Sequence, residues 1–469
     1  MATRIRRARA SATDQASNGV AAPDNRMALL DQAFFSGHHA AGQKEVMQVA
    51  WVYEHPVDLD ELRRLNREIN DGLLGRLIER SPLPFGRYRW VSAQRSPDID
   101  IAESARPRPE LSDWLDERSQ LPVDPESGPG WHLGVLPLTD GSTAVTLVMS
   151  HYVLDGIGAT VAVVEAILGV ARDPGYPAPR SRTRLRALLE DTGQTARAVP
   201  EVGRAIVAAV KEARRRQRND PRSAASQPVA HSGSDGNDPV VLPGVTAWVA
   251  VDDWEARAKA LGGTTNTLAA AFTAKVGDAT GFRHESDGTV CVQLIVNDRT
   301  AGDTRAIAVS FARVRIDPTA VTTDLGGVRA DIKQALNTLR DTPDESSQLA
   351  PLTPFTPKRA WKQMIDWALD DPDHPVVCSN FGDVGDVITR PDGTQCEYGY
   401  ARGTRQHATR QWLERIGGQL QVQFLSAPAL GKVCIHVLAY QPGGVTTKIA
   451  LRELIAKTLA EFDLPGEVE

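Results

Sequence analysis

The run Ser150-His151-Tyr152-Val153-Leu154-Asp155-Gly156 brings together an imidazole, a carboxylate and a glycine. An unperturbed imidazole titrates near about 6.5, so a histidine here is mostly neutral at pH 7 and can take a proton from an attacking hydroxyl or amine. Asp155 would be costly to bury alone and must be paired or hydrogen-bonded. Gly156 allows a close backbone approach or a positive φ. On these residues two readings of His151 stand side by side: a general base, and a structural histidine satisfied by its packing.

Other familiar site motifs are missing. No GxGxxG opens a strand-to-helix turn, so a dinucleotide fold has no support. The Gly431-Lys432 pair lacks the glycine-rich loop and the following Ser/Thr of a phosphate loop. There is no GxSxG nucleophile elbow and no HExxH. His38 and His39 adjoin in a Gly/Ala-rich stretch and read as surface histidines of a turn. His436 sits in an alternating run and reads as a packed histidine. The four cysteines, Cys291, Cys378, Cys396 and Cys434, form no CxxC pair and have strand-like neighbours, which fits buried reduced thiols.

The elements that must position His151 follow from periodicity. Residues 130–138 and 141–150 read as a hairpin around Thr139-Asp140-Gly141, because Asp-Gly favours a tight turn. The second of these strands is apolar at nearly every position, the pattern of a central strand covered on both faces. An apolar helix over 157–170 follows, which places His151 at a strand-to-helix junction. Earlier, 43–54 is strand-like, 56–81 reads as a helix with one apolar stripe, 85–93 as a strand and 110–120 as a short helix. Downstream, strands are expected over 244–255, 289–300, 310–316, 374–384, 419–427 and 432–443. Helices are expected over 253–261, 264–280, 324–340 and 446–462, with another starting near Lys358. The two halves repeat strand, helix, long strand and terminal helix in similar order.

A chain of 469 residues is too long for one comfortable core and suits two domains. Its 41% hydrophobic and 24% charged residues are ordinary for a globular α/β protein. No segment is long and apolar enough to span a membrane. The first residues carry arginines with no apolar stretch behind them, so 1–22 reads as a disordered tail and not a secretory signal, implying a cytoplasmic protein. Residues 23–180 form the N-terminal domain. Residues 181–238 form a linker with two helical stretches interrupted near Pro200 and a flexible end, and 239–469 form the C-terminal domain. The net charge of −6 argues against nucleic acid as a partner. One basic cluster, Arg214, Arg215, Arg216 and Arg218, reads as a solvated helix end.

The motif at 150–156 resembles the HHxxxDG signature of the superfamily that holds chloramphenicol acetyltransferases, peptide-synthetase condensation domains and plant acyltransferases. Within it, the chain is most similar to the wax ester synthase/diacylglycerol acyltransferase-like branch. Residues 28–35, 76–91, 262–272, 295–300, 376–386 and 438–445 resemble further segments of that branch, in order along the chain. The resemblance implies two chloramphenicol-acetyltransferase-like α/β domains arranged as a V with a central tunnel. It makes His151 the catalytic base. It makes Asp155 and Gly156 structural, with Asp155 paired to an arginine of the second half, for which Arg299 is the match. Asn380 and its neighbours would line the crossover between halves, with Asn380 a candidate oxyanion donor. The chain departs from the pattern in two places. Ser150 replaces the first histidine, whose side chain points away from the tunnel by strand alternation. The last hairpin reads Ala439-Tyr440-Gln441-Pro442-Gly443-Gly444 where the family has a Ser-Tyr-Asp-Gly-like sequence.

The activity implied is acyl transfer to a small-molecule hydroxyl or amine acceptor, without a covalent acyl-enzyme and without a permanently bound cofactor. The donor would be acyl-CoA. A second form of this reading is a freestanding condensation enzyme of secondary metabolism, taking its acyl group from a phosphopantetheinyl carrier protein. A third, suggested by Ser150 and the altered hairpin, is an inactive binding module of the same fold.

Overall fold

A computed structural model describes residues 24–219, 238–341, 348–369 and 373–469. The expected tail over 1–22 and the second part of the expected linker lie outside the described residues. The first half runs α1 (Leu29–Ala40), β1 (Lys44–Tyr53), α2 (Leu59–Asp71), β2 (Arg76–Glu79), β3 (Arg89–Ser92), β4 (Asp100–Ile101) and α3 (Leu111–Gln120). It continues with β5 (Trp131–Pro137), β6 (Thr143–Ser150), α4 (Gly156–Ile167) and α5 (Arg184–Asn219). The second half holds β7 (Gly244–Ala250), α6 (Val251–Ala260), α7 (Thr265–Ala279), β8 (Val290–Asn297), β9 (Val309–Ile316), α8 (Gly326–Asp341) and α9 (Lys358–Leu369). It ends with β10 (Val376–Asp383), β11 (Tyr398–Gln406), α10 (Arg410–Arg415), β12 (Gln419–Ala427), β13 (Lys432–Tyr440), α11 (Lys448–Glu461) and β14 (Gly466–Val468).

These strands make two large sheets, one of order β11-β1-β6-β5-β4 and one of order β14-β7-β13-β12-β10-β8-β9. The hairpin β5–β6 turns where Asp140 accepts the N–H of Ser142 and Gly141 takes φ +87°. β6 lies at the middle of its sheet with every residue buried, as its unbroken apolar run requires. Val145, Leu147 and Met149 face a core with Leu62, Leu65 and Ile69 of α2 and Ala159, Ala162 and Val163 of α4. Ala144 faces the other way, into a cluster with Leu111, Trp114 and Leu115 of α3 that also takes in Trp248 and Cys434 of the second sheet. The second core packs Leu268, Phe272 and Val276 of α7 and Leu451, Ile455 and Leu459 of α11 against Val292, Val422 and Ile435.

Four details differ from the sequence reading. The helix expected over 56–81 stops at Asp71. There the chain doubles back so tightly that a Cβ on Gly75 would sit 1.7 Å from the Asn70 carbonyl oxygen, and 76–79 pairs as a strand with 89–92. The two helical stretches expected around Pro200 are one helix, α5, with Pro200 inside it. His38 and His39 belong to the last turn of α1, not to a loop. The crossing between halves is made by β11, which no periodicity marked, and not by 376–386. Residues 376–383 stay in the second sheet between β12 and β8, whereas β11 pairs antiparallel with β1 from Lys44↔Gln406 to Val52↔Tyr398.

The other sequence-level features fall into place locally. All four cysteines are buried and none is in a disulfide; burial pushes the Cys378, Cys396 and Cys434 thiols up to about 12. Among the described residues no helix is long and apolar enough to cross a membrane. Helix α5 reaches the basic cluster, but the side chains of Arg214, Arg215, Arg216 and Arg218 lie outside the described residues.

Candidate active site

Strand alternation sends Ser150 and His151 to opposite faces of the first sheet. Ser150 is fully buried; its N–H donates to the Gly130 carbonyl at 2.9 Å and its Oγ accepts the N–H of Tyr152 at 3.4 Å. The serine is therefore held by its own turn. His151 is half-buried, and its N–H donates to the Glu45 carbonyl at 3.1 Å, carrying the β1–β6 pairing one step beyond Val46↔Ser150. Its ring lies 5.8 Å from that of Phe34. Nδ1 of His151 is buried and has no hydrogen-bond partner among the described residues.

Asp155 caps α4, its Oδ1 accepting the Gly158 N–H at 2.7 Å. Its Oδ2 accepts from Arg299 Nη2 at 2.7 Å and from the Ala308 N–H at 2.7 Å. Asp155 N–H donates to the Ala306 carbonyl at 2.7 Å. Arg299 also donates to the carbonyls of Asp303, Arg305 and Ala306 at 3.0–3.1 Å. Both side chains of the pair are buried. The aspartate thus has its charge matched and its oxygens occupied, and it holds a loop of the second half against the strand-to-helix junction of the first.

Two further first-half residues grip the same loop. Asp31 Oδ2 and Oδ1 accept the N–H groups of Ala306 and Ile307 at 2.8 and 2.9 Å. Burial raises the Asp31 carboxyl above its ordinary value, with those two N–H groups and Arg76 acting the other way. Arg76 donates to the carbonyls of Thr304 and Val153 at 2.6 Å each and stacks 3.8 Å over the Trp90 ring. Neither residue was singled out from sequence, although each lies in a segment that carries the resemblance.

Gly156 is a point of close approach and not of positive φ: a Cβ there would lie 2.2 Å from Phe381 Cε1. Phe381, at the end of β10, therefore packs directly on the first residue of α4. Asn380, its neighbour, is not what Gly156 meets. It donates from Nδ2 to Asn266 Oδ1 at 2.7 Å, and its Oδ1 accepts the Gly382 N–H at 2.9 Å. Those bonds tie the β10 end to the start of α7, and no contact joins Asn380 to the imidazole among the described residues. His436 is a packed histidine, with Nδ1 3.0 Å from Thr246 Oγ1; burial, then Arg402 and Lys448, push its pKa well below 6.5.

Beside His151 lies a cluster that the sequence did not reveal. His38, read above as a surface residue, has a largely buried ring, 4.3 Å from Phe34, with Nδ1 2.9 Å from the Phe34 carbonyl. Its Nε2 is 3.5 Å from Glu45 Oε1. The same oxygen accepts from Arg405 Nε at 3.1 Å and Nη2 at 2.9 Å. Burial lowers the His38 pKa below its ordinary value, the Glu45 carboxylate working against that. Burial works to raise the Glu45 carboxyl, but His38, Arg405 and His151 outweigh it and hold it at about 2. Linear sequence carried no signal for this group, because Glu45, His151 and Arg405 meet only through the register of β1, β6 and β11, and His38 joins them from the last turn of α1. His39 is more open, stacked on Phe35 at 5.7 Å with Nε2 3.2 Å from Arg80 Nη2.

No family model matches the chain, and no curated protein matches its sequence. Solved structures do match in fold. The first condensation domain of the CDA synthetase is 14% identical, with a TM-score of 0.55, covering 95% of this chain and 99% of that one. Trichothecene 15-O-acetyltransferase from Fusarium sporotrichioides is 12% identical, with a TM-score of 0.54 and 93% and 94% coverage. Wax ester synthase/diacylglycerol acyltransferase from Marinobacter aquaeolei is 13% identical, with a TM-score of 0.52 and 93% and 98% coverage. The chain has the two-domain, chloramphenicol-acetyltransferase-like α/β fold of these condensation and acyltransferase proteins, over almost its full length.

Proposed function

We propose that the protein is an acyltransferase that moves an acyl group from a thioester to a hydroxyl or amine, with His151 as general base. The observation that carries this reading is a half-buried imidazole at the end of the central strand, four residues before the aspartate that pairs with Arg299 of the second half. His151 takes the proton of the acceptor as its oxygen or nitrogen attacks the thioester carbonyl carbon. As the tetrahedral intermediate collapses, the carbon–sulfur bond breaks and the imidazolium gives its proton to the leaving thiolate. No covalent enzyme intermediate is needed, because the donor is already activated. Base catalysis of this kind contributes about 10²–10⁴-fold, and holding both reactants in line adds more. Asp155 belongs to the scaffold in this scheme, since its oxygens are fully engaged.

The test is release of free thiol from acyl-CoA of short, medium and long chain, with alcohol and amine acceptors, using the full chain and His151→Ala. Loss of turnover by about 10²-fold or more in a folded variant is expected. Near-normal transfer by folded H151A would overturn the mechanism. A parallel arm with an acylated phosphopantetheinyl carrier in place of CoA assigns the donor.

A further inference from the structure

A general base must present a bare nitrogen to the acceptor, so the other ring nitrogen has to carry the proton. For His151 that second nitrogen is Nδ1, and it is buried without a partner. A buried N–H left unpaired costs about 1–3 kcal/mol, and nothing then fixes which nitrogen is protonated. Asp155, the nearest acid in sequence, accepts from Gly158, Arg299 and Ala308 and makes no hydrogen bond to this nitrogen.

The sheet supplies another acid. Val46 pairs with Ser150, and the His151 N–H continues the ladder to Glu45, so Glu45 and His151 are opposite neighbours. On the other side Glu45 pairs directly with Arg405 of β11. Directly opposite residues on adjacent strands send their side chains to the same face. Arg405, Glu45 and His151 therefore form one row across three strands. Within that row Oε1 of Glu45 takes all the contacts: Arg405 Nε and Nη2, with His38 Nε2 at 3.5 Å. Oε2 makes no hydrogen bond among the described residues.

We propose that Glu45 is the positioning residue of His151, its Oε2 accepting the imidazole Nδ1–H and so leaving Nε2 bare toward the acceptor. Arg405 competes for the same carboxylate, so the second half tunes the base of the first through β11. This rests on the acyltransferase reading for its purpose but not for its test. The charged or titratable groups around the pair are His38 of α1, Tyr152 beside His151, and Arg405 of β11. Tyr152 is already committed: its OH donates to the Gln43 carbonyl and accepts the Glu45 N–H, both at 3.1 Å.

The experiment is a ¹⁵N imidazole titration of the full chain by NMR, with the His151 signal assigned by its loss in His151→Ala. Glu45→Gln is expected to lower the His151 titration midpoint by about one pH unit and to mix its tautomers. Arg405→Gln is expected to raise the midpoint, because the carboxylate is no longer shared. Opposite signs, together with loss of the single tautomer in Glu45→Gln, are the signature. A carboxylate that acts on the imidazole only through space predicts shifts of opposite sign with the tautomer mixture unchanged by Glu45→Gln, and that result, or no shift at all, overturns the proposal. Should Glu45→Gln fail to fold, the tautomer of the unaltered chain decides alone: a single Nδ1–H form supports the pairing, and a mixture of forms overturns it. The readout needs no substrate. Absence of acyl transfer with that signature present would sink the proposed function and leave the Glu45–His151 pair standing. Transfer with unmoved titrations would do the reverse.

Discussion

At the scale of single residues, Gly156 shows how little room the junction has. Any side chain there must displace the Phe381 ring, whose Cε1 and Cζ would lie 2.2 and 2.6 Å from a Cβ. Gly156→Ala is expected to destabilise the protein by about 1–3 kcal/mol, as overpacking does. Phe381→Leu in the same chain should recover part of that loss. Denaturant unfolding of the single and double variants measures it, and strictly additive losses would mean the two residues do not meet. His151 and Asp155 were legible in the sequence because they sit on one short motif at a strand end. Glu45, His38 and Arg405 were not. Glu45 meets Arg405 because of which residue of one strand faces which residue of another, and His38 reaches them from a helix packed over that row, neither of which local spacing encodes.

At the scale of elements, the loop after β8 is held by side chains from both halves. Arg299→Met removes the donors to Asp155 Oδ2 and to the carbonyls of Asp303, Arg305 and Ala306. It leaves a buried carboxylate without its counter-charge. Breaking such a pair costs about 3–5 kcal/mol. Urea unfolding should show that loss, with acyl transfer per folded molecule reduced far less than in His151→Ala. An unchanged unfolding midpoint would refute the clasp. Most helices and strands were legible from apolar periodicity and caps, as at α7, where Thr264 accepts the Thr267 N–H. Strand β11 escaped because Gly399, Gly403, Arg402 and Arg405 interrupt its apolar pattern. Its charged side chains are satisfied by partners, buried Arg402 with Asp116 and Gln48 and half-buried Arg405 with Glu45, which a strand pattern read alone cannot supply.

At the scale of the whole molecule, buried histidines set a pH dependence. Burial, with Arg118 adding to it, holds His132 at about 4, and His436 is held well below 6.5. In the unfolded chain both bind a proton near about 6.5. Between the folded and unfolded values the unfolded state therefore holds more protons, so stability is full above about 6.5 and falls as pH drops toward about 4. For His132 the loss is on the order of 3 kcal/mol across that window. Glu45, held at about 2, loses its contribution in the same direction below about 4.5. Urea midpoints measured from about pH 7 to pH 4 should decline, and His132→Gln should flatten the curve. Parallel curves for the two proteins would show that His132 is not the group responsible.

The strand that crosses between the sheets gives the chain a fixed order of completion. A ribosome that has released only the first 219 residues has made β1 but not the partner for its open edge, which arrives with residues 398–406. Until then a row of backbone donors and acceptors stays exposed to any passing strand. The first half thus keeps an open edge until its own distant downstream segment covers it.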